Sequence, residues 1–253
     1  MKSFKKDNLS VKIMPTRSEM GMVAAADIHE KILSLLSQKD EINMIFAAAP
    51  SQNDVLESLI KYDDIDWSRI NAYHMDEYVG LPKELEDRSF GTYLHDHIFG
   101  KVPFKSVNFI DSTATDSRSE CLRYSKLLAD NPTDIVVMGI GENGHIAFND
   151  PWIAKFDDPA AVKVVPLDLV CRHQQVNDGC FESIELVPTH AITLTCPTLF
   201  SAGALFCIVP APTKAEAVKR TLEGEINEDC PATILRRHKC ATLYLDGDSS
   251  ALL

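Results

Sequence analysis

The sequence predicts an α/β fold, a mostly parallel β-sheet with helices packed on both of its faces. Short apolar runs typical of buried strands alternate along the chain with longer amphipathic segments typical of helices, and this alternation indicates a parallel sheet. The chain has 253 residues, of which 45% are hydrophobic and 25% are charged. One large α/β domain uses roughly 200–250 residues. Since the sequence contains no repeat and no linker rich in Gly, Ser or Pro, we expect a single domain over residues 1–253.

The first half of the chain begins with a well-marked helix. Thr16 and Glu19 form a capping box before an apolar stripe with helical spacing. The run INMIFAAA then reads as a buried strand, and a turn that contains Pro50 separates it from the next helix. The predicted helices in this half are residues 15–38, 54–62, 87–99 and 117–130, and the predicted strands are residues 42–49, 69–75 and 106–112.

The second half continues the alternation. The apolar runs predict strands, and TKAEAVKRTLEG predicts the helix at 213–224. Ligands of open parallel sheets bind at the carboxyl ends of the strands, where the loops begin. The predicted strands are residues 134–140, 190–196, 203–210 and 239–246, and the loops to inspect for function are residues 50–53, 76–82, 139–151 and 210–214.

The charge of the chain limits its partners. Asp and Glu number 37 against 25 Lys and Arg, which gives a formal net charge of −12. Nucleic acids and anionic membranes are bound through basic surfaces, so the sequence argues against either as the main partner. An anionic small molecule remains compatible with this charge if a few positive groups meet locally.

Seven cysteines, an odd number without any C-x-x-C spacing, indicate reduced thiols rather than disulfides or a zinc site. The basic N-terminus lacks the apolar core of a signal peptide, and no run reaches transmembrane length. His95 and His97 are two residues apart, which in a helix places them on different faces. We therefore expect a cytoplasmic protein without a bound metal.

The stretch GIGENGHIAFNDP at 139–151 carries the main functional question. Gly139, Gly141 and Gly144 match the G-x-G-x-x-G spacing of a dinucleotide-binding turn, which requires a helix directly after the third glycine. Pro151 and Pro159 forbid a long helix there. The glycines are instead expected where the backbone turns sharply and approaches a ligand.

His145 in this loop is a candidate proton-transfer group. Histidine titrates near neutrality, and a nearby carboxylate such as Asp150 can fix its tautomer and raise its basicity. Asn143 lies close by in sequence. A loop histidine hydrogen-bonded to the backbone is an equally simple interpretation of the position alone.

Three other loops carry candidate polar residues. Asp76 and Glu77 follow a strand, where a carboxylate can act as a general base, although a helix cap or a salt bridge is the commoner role. Lys214 begins a helix and could hold a phosphate, or it could simply be solvated. The remaining candidates, which could bind an anion or cap the next helix, are Ser51, Gln52 and Asn53.

Four motifs, taken together and in this order, resemble the glucosamine-6-phosphate deaminase/isomerase family. The resemblance covers nearly the whole chain, and IAFNDP favours the deaminases over the related 6-phosphogluconolactonases. It implies a three-layer α/β/α, modified Rossmann-like sheet without a nucleotide, and a reaction that needs no cofactor. The substrate would be a hexosamine 6-phosphate, and a homo-oligomer is left open. The motifs are HMDEYVGLP, GIGENGHIAFNDP, VPTHAITLT and PTKAEAV.

The resemblance also implies roles for individual residues. Asp76 matches the base that takes the proton from C2 of the sugar, and His145 matches the acid/base that opens the ring. Asp150 stands in place of the usual glutamate partner of that histidine. Lys214 matches a phosphate-binding lysine, and the segment 139–144, including Gly144, approaches the substrate.

The chain departs from the family pattern at three points. Asn143 stands where the glucosamine branch has aspartate and resembles galactosamine-directed members, so either sugar is compatible. The phosphate loop is AAPSQND rather than a Gly/Thr-rich segment, and Arg172 is the candidate for the phosphate-binding arginine. A phosphogluconolactonase-type hydrolase and a non-catalytic sugar-phosphate sensor therefore remain as alternatives.

Overall fold

The computed structural model describes residues 1–177 and 179–253. Within those ranges it contains eleven strands and seven α-helices. The strands are β1 (Lys2–Lys6), β2 (Leu9–Ile13), β3 (Ile42–Phe46), β4 (Ile70–His74), β5 (Asp76–Tyr78), β6 (Ser106–Asn108), β7 (Ile135–Met138), β8 (Val162–Pro166), β9 (His190–Leu194), β10 (Ala204–Val209) and β11 (Ala241–Leu245). The helices are α1 (Arg17–Leu36), α2 (Asn53–Leu59), α3 (Phe90–Leu94), α4 (Ser117–Asp130), α5 (Leu169–Asn177), α6 (Cys196–Phe200) and α7 (Ala215–Glu223).

Eight strands form the main sheet, in the order β1-β2-β11-β10-β7-β3-β4-β6. Every neighbouring pair is parallel except β1 and β2, which form an antiparallel hairpin. The predicted mostly parallel sheet is therefore confirmed. The hairpin is missing from the sequence prediction because β1, with the sequence KSFKK, is an exposed edge strand without an apolar pattern.

Helices cover both faces of the main sheet, and strand β10 shows how the sequence achieves this. Successive side chains of a strand point to opposite faces. Leu205 and Cys207 pack in one apolar core with residues of α4 and α7, whereas Phe206 and Ile208 pack in a second core with residues of α1 and α2. The continuous apolar run of β10 thus buries both faces, and the three-layer α/β/α architecture is confirmed.

A second, smaller sheet contains three antiparallel strands in the order β5-β9-β8. The segment 190–196, which the sequence predicts as a strand of the parallel sheet, contributes β9 here instead. The loop predicted at 76–82 begins with β5, whose Asp76 is paired with Thr193 of β9. The strand predicted at 190–196 is confirmed by β9, whereas β5 was missed, because antiparallel pairing between distant segments leaves no local sequence signal.

Helices α1, α2, α4 and α7 agree with the predictions, whereas α5 and α6 were not predicted and the helix predicted at 87–99 differs. Thr16 caps α1, since its hydroxyl accepts from the backbone N–H of Glu19 at 3.2 Å. The single helix predicted at 87–99 is instead the short α3 followed by a π-helical turn at His95–Phe99. No helix in the described part of the chain is long and apolar enough to cross a membrane.

Candidate active site

The main cleft lies at the carboxyl ends of the central strands, where the sequence places the functional loops. The loops after β3, β4, β7 and β10 all line it, and α1 contributes its first residue, Arg17. Parallel strands bring these loops to one edge of the sheet although they are distant in sequence. Among the lining residues are Ser51, Asp76, Gly139, Gly141, His145, Thr213 and Lys214.

His145 is held by a polar network inside its own loop. Asn143 Oδ1 accepts from the backbone N–H of His145 at 3.0 Å and lies 2.8 Å from His145 Nδ1. The amide group of Asn143 donates to Asp150 Oδ1 at 2.8 Å. Because a carboxylate only accepts, the Asn143 oxygen must face the imidazole, so Nδ1 carries the hydrogen. The neutral ring therefore presents an unprotonated Nε2.

Asp150 supports this network with a negative charge. It is fully buried, and its Oδ1 lies 3.2 Å from His145 Nδ1. Burial disfavours the charged form of Asp150, but the hydrogen bond and charge of His145, together with the bond from Asn143, outweigh that effect and lower the pKa of the carboxyl. The carboxylate thus stays ionised beside an imidazole that can gain a proton.

The glycines of the loop have steric roles. A Cβ atom on Gly141 would lie 2.1–2.3 Å from three ring atoms of His145, so the ring occupies the space beside Gly141. Gly144 has a φ of +89°, and a Cβ there would lie 2.5 Å from Cys230 Sγ. Gly139 and Gly141 line the cleft, whereas Gly144 shapes the turn below it.

Asp76 faces the cleft from the start of β5. It is 8% exposed. Burial, and after it the charge of neighbouring Glu77, raises the pKa of the Asp76 carboxyl well above its usual range. A carboxylate that binds a proton this strongly is a better general base near neutral pH than an exposed one.

Glu77 lies on the opposite face of β5 and has a structural role. Its carboxylate accepts from the backbone N–H groups of Tyr78, Phe90 and Gly91 at 2.8–3.1 Å, and so ties β5 to the first turn of α3. Burial raises the pKa of Glu77 to about 7, against the opposing effect of these three bonds. Since α3 contributes Phe90 to the cleft, Glu77 also fixes part of the cleft wall.

Strand β9 joins the two proton-transfer groups. Thr193 of β9 is paired with Asp76, and its hydroxyl accepts from the backbone N–H of Phe148, three residues after His145. Asn149, fully buried, donates from its amide group to the carbonyl of Leu194 at 2.8 Å. The glycine loop is therefore fastened to the small sheet that carries Asp76.

Cationic side chains meet at another part of the cleft. Lys214 lies at the end of a 3₁₀ turn after β10 and is 9% exposed. Arg17 lines the same cleft, and its Nε donates to Asp54 at 2.6 Å while its Nη2 donates to the carbonyl of Pro50. Ser51 lies in the neighbouring turn after β3. This group of residues is suited to hold a phosphate.

Besides Gly144, three predicted binding residues do not line the cleft. Gln52 is buried and donates to the carbonyl of Ile208 at 3.3 Å, while Asn53 accepts from the hydroxyl of Tyr93. Arg172 donates to the carbonyls of Ile184 and Val187 at 2.5 and 2.9 Å. The arginine that the structure places at the cleft is Arg17.

Sequence reasoning missed Arg17 for an identifiable reason. A helix that follows a parallel strand begins at the carboxyl edge of the sheet, so the first turn of α1 lies near the other loops. Recognising this requires β2, which precedes α1 and is absent from the prediction. The signal was the arginine directly after the N-cap Thr16.

Potential metal ligands are not clustered in the described ranges. No group of three or more His, Cys, Asp or Glu side chains there could hold an ion.

Comparison with known proteins extends these observations. The model of the family described as glucosamine-6-phosphate isomerases/6-phosphogluconolactonase matches residues 15–244. A glucosamine-6-phosphate deaminase of Bacillus cereus is 34% identical over 244 residues, which cover 96% of this chain and 89% of that protein. The solved structure of a monomeric glucosamine-6-phosphate deaminase superposes with a TM-score of 0.86 at 30% identity, covering 96% of this chain and 99% of that one.

The lactonase branch shares the fold at lower identity. A 6-phosphogluconolactonase of Thermotoga maritima superposes with a TM-score of 0.75 at 19% identity, over 94% of this chain and 99% of that one. The family match over most of the chain and the close deaminase relatives agree with the motif resemblance. The chain belongs to the glucosamine-6-phosphate isomerase/6-phosphogluconolactonase family.

Proposed function

We propose that this protein is a cofactor-independent deaminase/isomerase of a hexosamine 6-phosphate, which it converts to a ketose 6-phosphate and ammonia. One observation carries the proposal: a buried carboxylate with a raised pKa, Asp76, and a carboxylate-supported histidine, His145, line one cleft with Arg17 and Lys214. The relatives named glucosamine-6-phosphate deaminase support it.

The phosphate of the substrate is assigned to Arg17, Lys214 and Ser51. A guanidinium offers donors in a planar fork that suits phosphate oxygens, and a lysine ammonium adds three donors on a flexible stem. Asp54 and the carbonyl of Pro50 hold the Arg17 side chain toward the cleft. With the phosphate bound there, C1 and C2 at the other end of the sugar can lie near the loop of His145 and near Asp76.

Ring opening is assigned to His145. Opening a cyclic hemiacetal moves a proton from the hydroxyl on C1 to the ring oxygen and yields the free aldehyde. The unprotonated Nε2 of His145 can accept that proton and return it to the ring oxygen. Asp150 stabilises the imidazolium that forms meanwhile, and Asn143 holds the ring in one orientation.

Isomerisation and deamination are assigned to Asp76. Its carboxylate removes the proton from C2 of the open aldehyde while the aldehyde oxygen takes up a proton, which produces an enolamine. Asp76 then returns its proton to C1 while the nitrogen loses one. The resulting C2 imine reacts with water, releases ammonia and leaves the ketose 6-phosphate. Since C1 is reduced from aldehyde to alcohol while C2 is oxidised from amine to imine, the sequence of steps needs no oxidant or reductant.

An ammonia-release assay tests the proposal. We expect turnover of at least one of glucosamine, galactosamine and mannosamine 6-phosphate, with loss of activity in Asp76→Asn. Asn143 leaves the choice of sugar open, so the three are compared at equal concentration. Hydrolysis of 6-phosphogluconolactone without ammonia release would instead support a lactonase. Tight binding of all three sugars without turnover would indicate a sensor.

We further infer a cytoplasmic location and a small-molecule partner. Five of the seven cysteines are buried, which suits a reducing compartment. One related structure is described as that of a monomer, so light scattering on the purified chain tests whether this protein forms a homo-oligomer.

A further inference from the structure

Ala211, in the loop after β10, has a backbone conformation that normally requires glycine. Its φ is +85° and its ψ is 149°. Residues with a Cβ atom populate this region rarely, because the Cβ atom clashes with the backbone. Such a conformation persists only where the surroundings impose it, and it clusters at functional sites.

The strained residue starts the turn that carries Lys214. The carbonyl of Ala211 accepts from the backbone N–H of Lys214 at 3.2 Å and closes the 3₁₀ turn at Pro212–Lys214. Pro210 and Pro212 flank Ala211, and their rings fix their own φ angles. Ala211 is therefore the residue whose rotation decides where Thr213 and Lys214 lie in the cleft.

A buried carboxylate outside the cleft lining holds Ala211. Asp246 follows β11, is 3% exposed, and accepts from the backbone N–H of Ala211 at 3.1 Å through Oδ2 and 3.3 Å through Oδ1. Oδ1 also accepts from the backbone N–H of Ser249 at 2.7 Å. Strands β10 and β11 are in register up to Val209 and Leu245, so the residues that follow them lie side by side.

We propose that Asp246 is a positioning residue for the phosphate end of the cleft: its carboxylate holds Ala211 at positive φ and thereby places Thr213 and Lys214 toward the substrate phosphate. The proposal rests on the proposed function, since it assigns Lys214 to the phosphate. Asp246 acts only through Ala211 and does not contact the reacting carbons.

The chemistry of the side chain explains why a carboxylate is required. Two backbone N–H groups, from Ala211 and Ser249, point at Asp246, and a carboxylate has two accepting oxygens. Asparagine offers one accepting oxygen and turns a donor toward the other N–H. Oδ1 accepts from Ser249 at 2.7 Å and from Ala211 at 3.3 Å, so Asp246→Asn loses the shorter bond from Ala211 to Oδ2 at 3.1 Å. The weakened support lets Ala211 relax toward a negative φ.

Steady-state kinetics on a small set of variants tests the proposal. For Asp246→Asn we expect KM for the hexosamine phosphate to rise about tenfold as Lys214 is misplaced, which corresponds to about 1.4 kcal/mol of lost binding, while kcat changes little. Adding Ala211→Gly should restore most of the lost affinity, because glycine adopts a positive φ without strain. Ser249→Ala, which disturbs the same turn through its hydroxyl, is the matched control and should keep the parent KM.

Other outcomes overturn the proposal. An unchanged KM in Asp246→Asn, or an equal fall in kcat that Ala211→Gly does not reverse, would show that Asp246 does not act through Ala211. If Asp246→Asn fails to fold, Ala211→Val reports on the same strain, since a β-branched residue resists positive φ, and it should raise KM alone. The affinity of each variant for inorganic phosphate can be compared in the same way without turnover. If the parent protein binds phosphate but does not release ammonia from any hexosamine phosphate, the proposed function fails while the role of Asp246 can still be tested.

Discussion

The imidazole of His145 fills the space that a side chain on Gly141 would occupy, with three ring atoms 2.1–2.3 Å from where the Cβ atom would be. The two residues are four apart, and the backbone N–H of Gly141 donates to the carbonyl of His145 at 2.9 Å, so the loop folds back on itself. Glycine at 141 is thus a condition for the placement of the His145 ring.

Gly141→Ala should therefore inactivate the enzyme without unfolding it. The added methyl group displaces the imidazole, and loss of a general acid/base typically costs about 10²–10⁴-fold in rate. The measurement is kcat for ammonia release, with circular dichroism to confirm the fold. Gly139→Ala is the control, because its Cβ would meet Gln52 Nε2 at 3.1 Å and leave His145 untouched. A parent-like kcat in Gly141→Ala would contradict the assigned role of the ring.

Asn143→Asp should lower activity below neutral pH. The amide of Asn143 donates to Asp150 at 2.8 Å, so aspartate would place two carboxylates at that distance and raise the pKa of Asp150. Ionisation of Asp150 then requires a higher pH, so the acidic limb of the kcat/KM profile shifts to higher pH. At a fixed pH on that limb, each unit of increase in the pKa lowers activity about tenfold. A profile that superposes on that of the parent would show that the Asn143–Asp150 contact does not affect catalysis.

Asp76→Asn should abolish both ammonia release and exchange of the C2 hydrogen with deuterated water. An amide has no basic lone pair to replace the carboxylate at the first carbon-acid step. His145→Gln is the comparison variant, and it should slow turnover of the cyclic sugar while sparing C2 exchange of the open form. Exchange near the parent rate in Asp76→Asn would exclude Asp76 as the base.

Asp76→Asn should also stabilise the fold at neutral pH. The folded state binds the Asp76 proton more tightly than the unfolded chain does, because burial raises the pKa. Protonation of Asp76 makes its full contribution to the free energy of unfolding below about pH 4, the pKa of this group in the unfolded chain. That contribution is lost as the pH rises through the pKa of Asp76 in the folded protein. We expect Tm of the variant to exceed that of the parent by a few degrees at pH 8, where ~1 kcal/mol corresponds to about 2–4 °C in a chain of this size. The difference should vanish near pH 4; a difference independent of pH would contradict the linkage.

Arg17→Met and Arg172→Met should have different effects. Loss of Arg17 should raise KM for the phosphorylated sugar with little change in kcat, because the phosphate is remote from C1 and C2. Loss of Arg172 should lower Tm, since its guanidinium holds the carbonyls of Ile184 and Val187. Lys214→Ala provides the reference for a phosphate contact. A larger KM effect for Arg172→Met than for Arg17→Met would return the phosphate role to Arg172.

The main sheet could be predicted because its strands are marked by local sequence. Strands β3, β7 and β10 are apolar runs bounded by turns, and their carboxyl ends bring Ser51, His145 and Lys214 to one edge of the sheet. That geometry follows from parallel topology alone, so the sequence sufficed to locate the cleft. The hydrogen-bond partners within the glycine loop could be predicted only in part, since proximity in sequence suggests that Asn143 contacts His145 but does not fix which of its atoms faces the ring.

The small sheet could not be predicted in the same way. Its strands come from residues 76–78, 162–166 and 190–194. Their pairing depends on a register between distant segments, which no short stretch of sequence determines. The placement of Arg17 failed for a related reason, since it depends on recognising an exposed hairpin. The strain at Ala211 is likewise invisible in the sequence, where alanine suggests an ordinary backbone.

The connection of Thr193 to both Asp76 and the backbone of Phe148 has a consequence for how the enzyme loses activity. The three short strands of the small sheet are paired apart from the eight-stranded sheet, and we expect them to open before the core of that sheet. Such opening displaces Asp76 and loosens the loop of His145 together. Inactivation in mild denaturant therefore reports the opening of three strands, while most of the secondary structure persists.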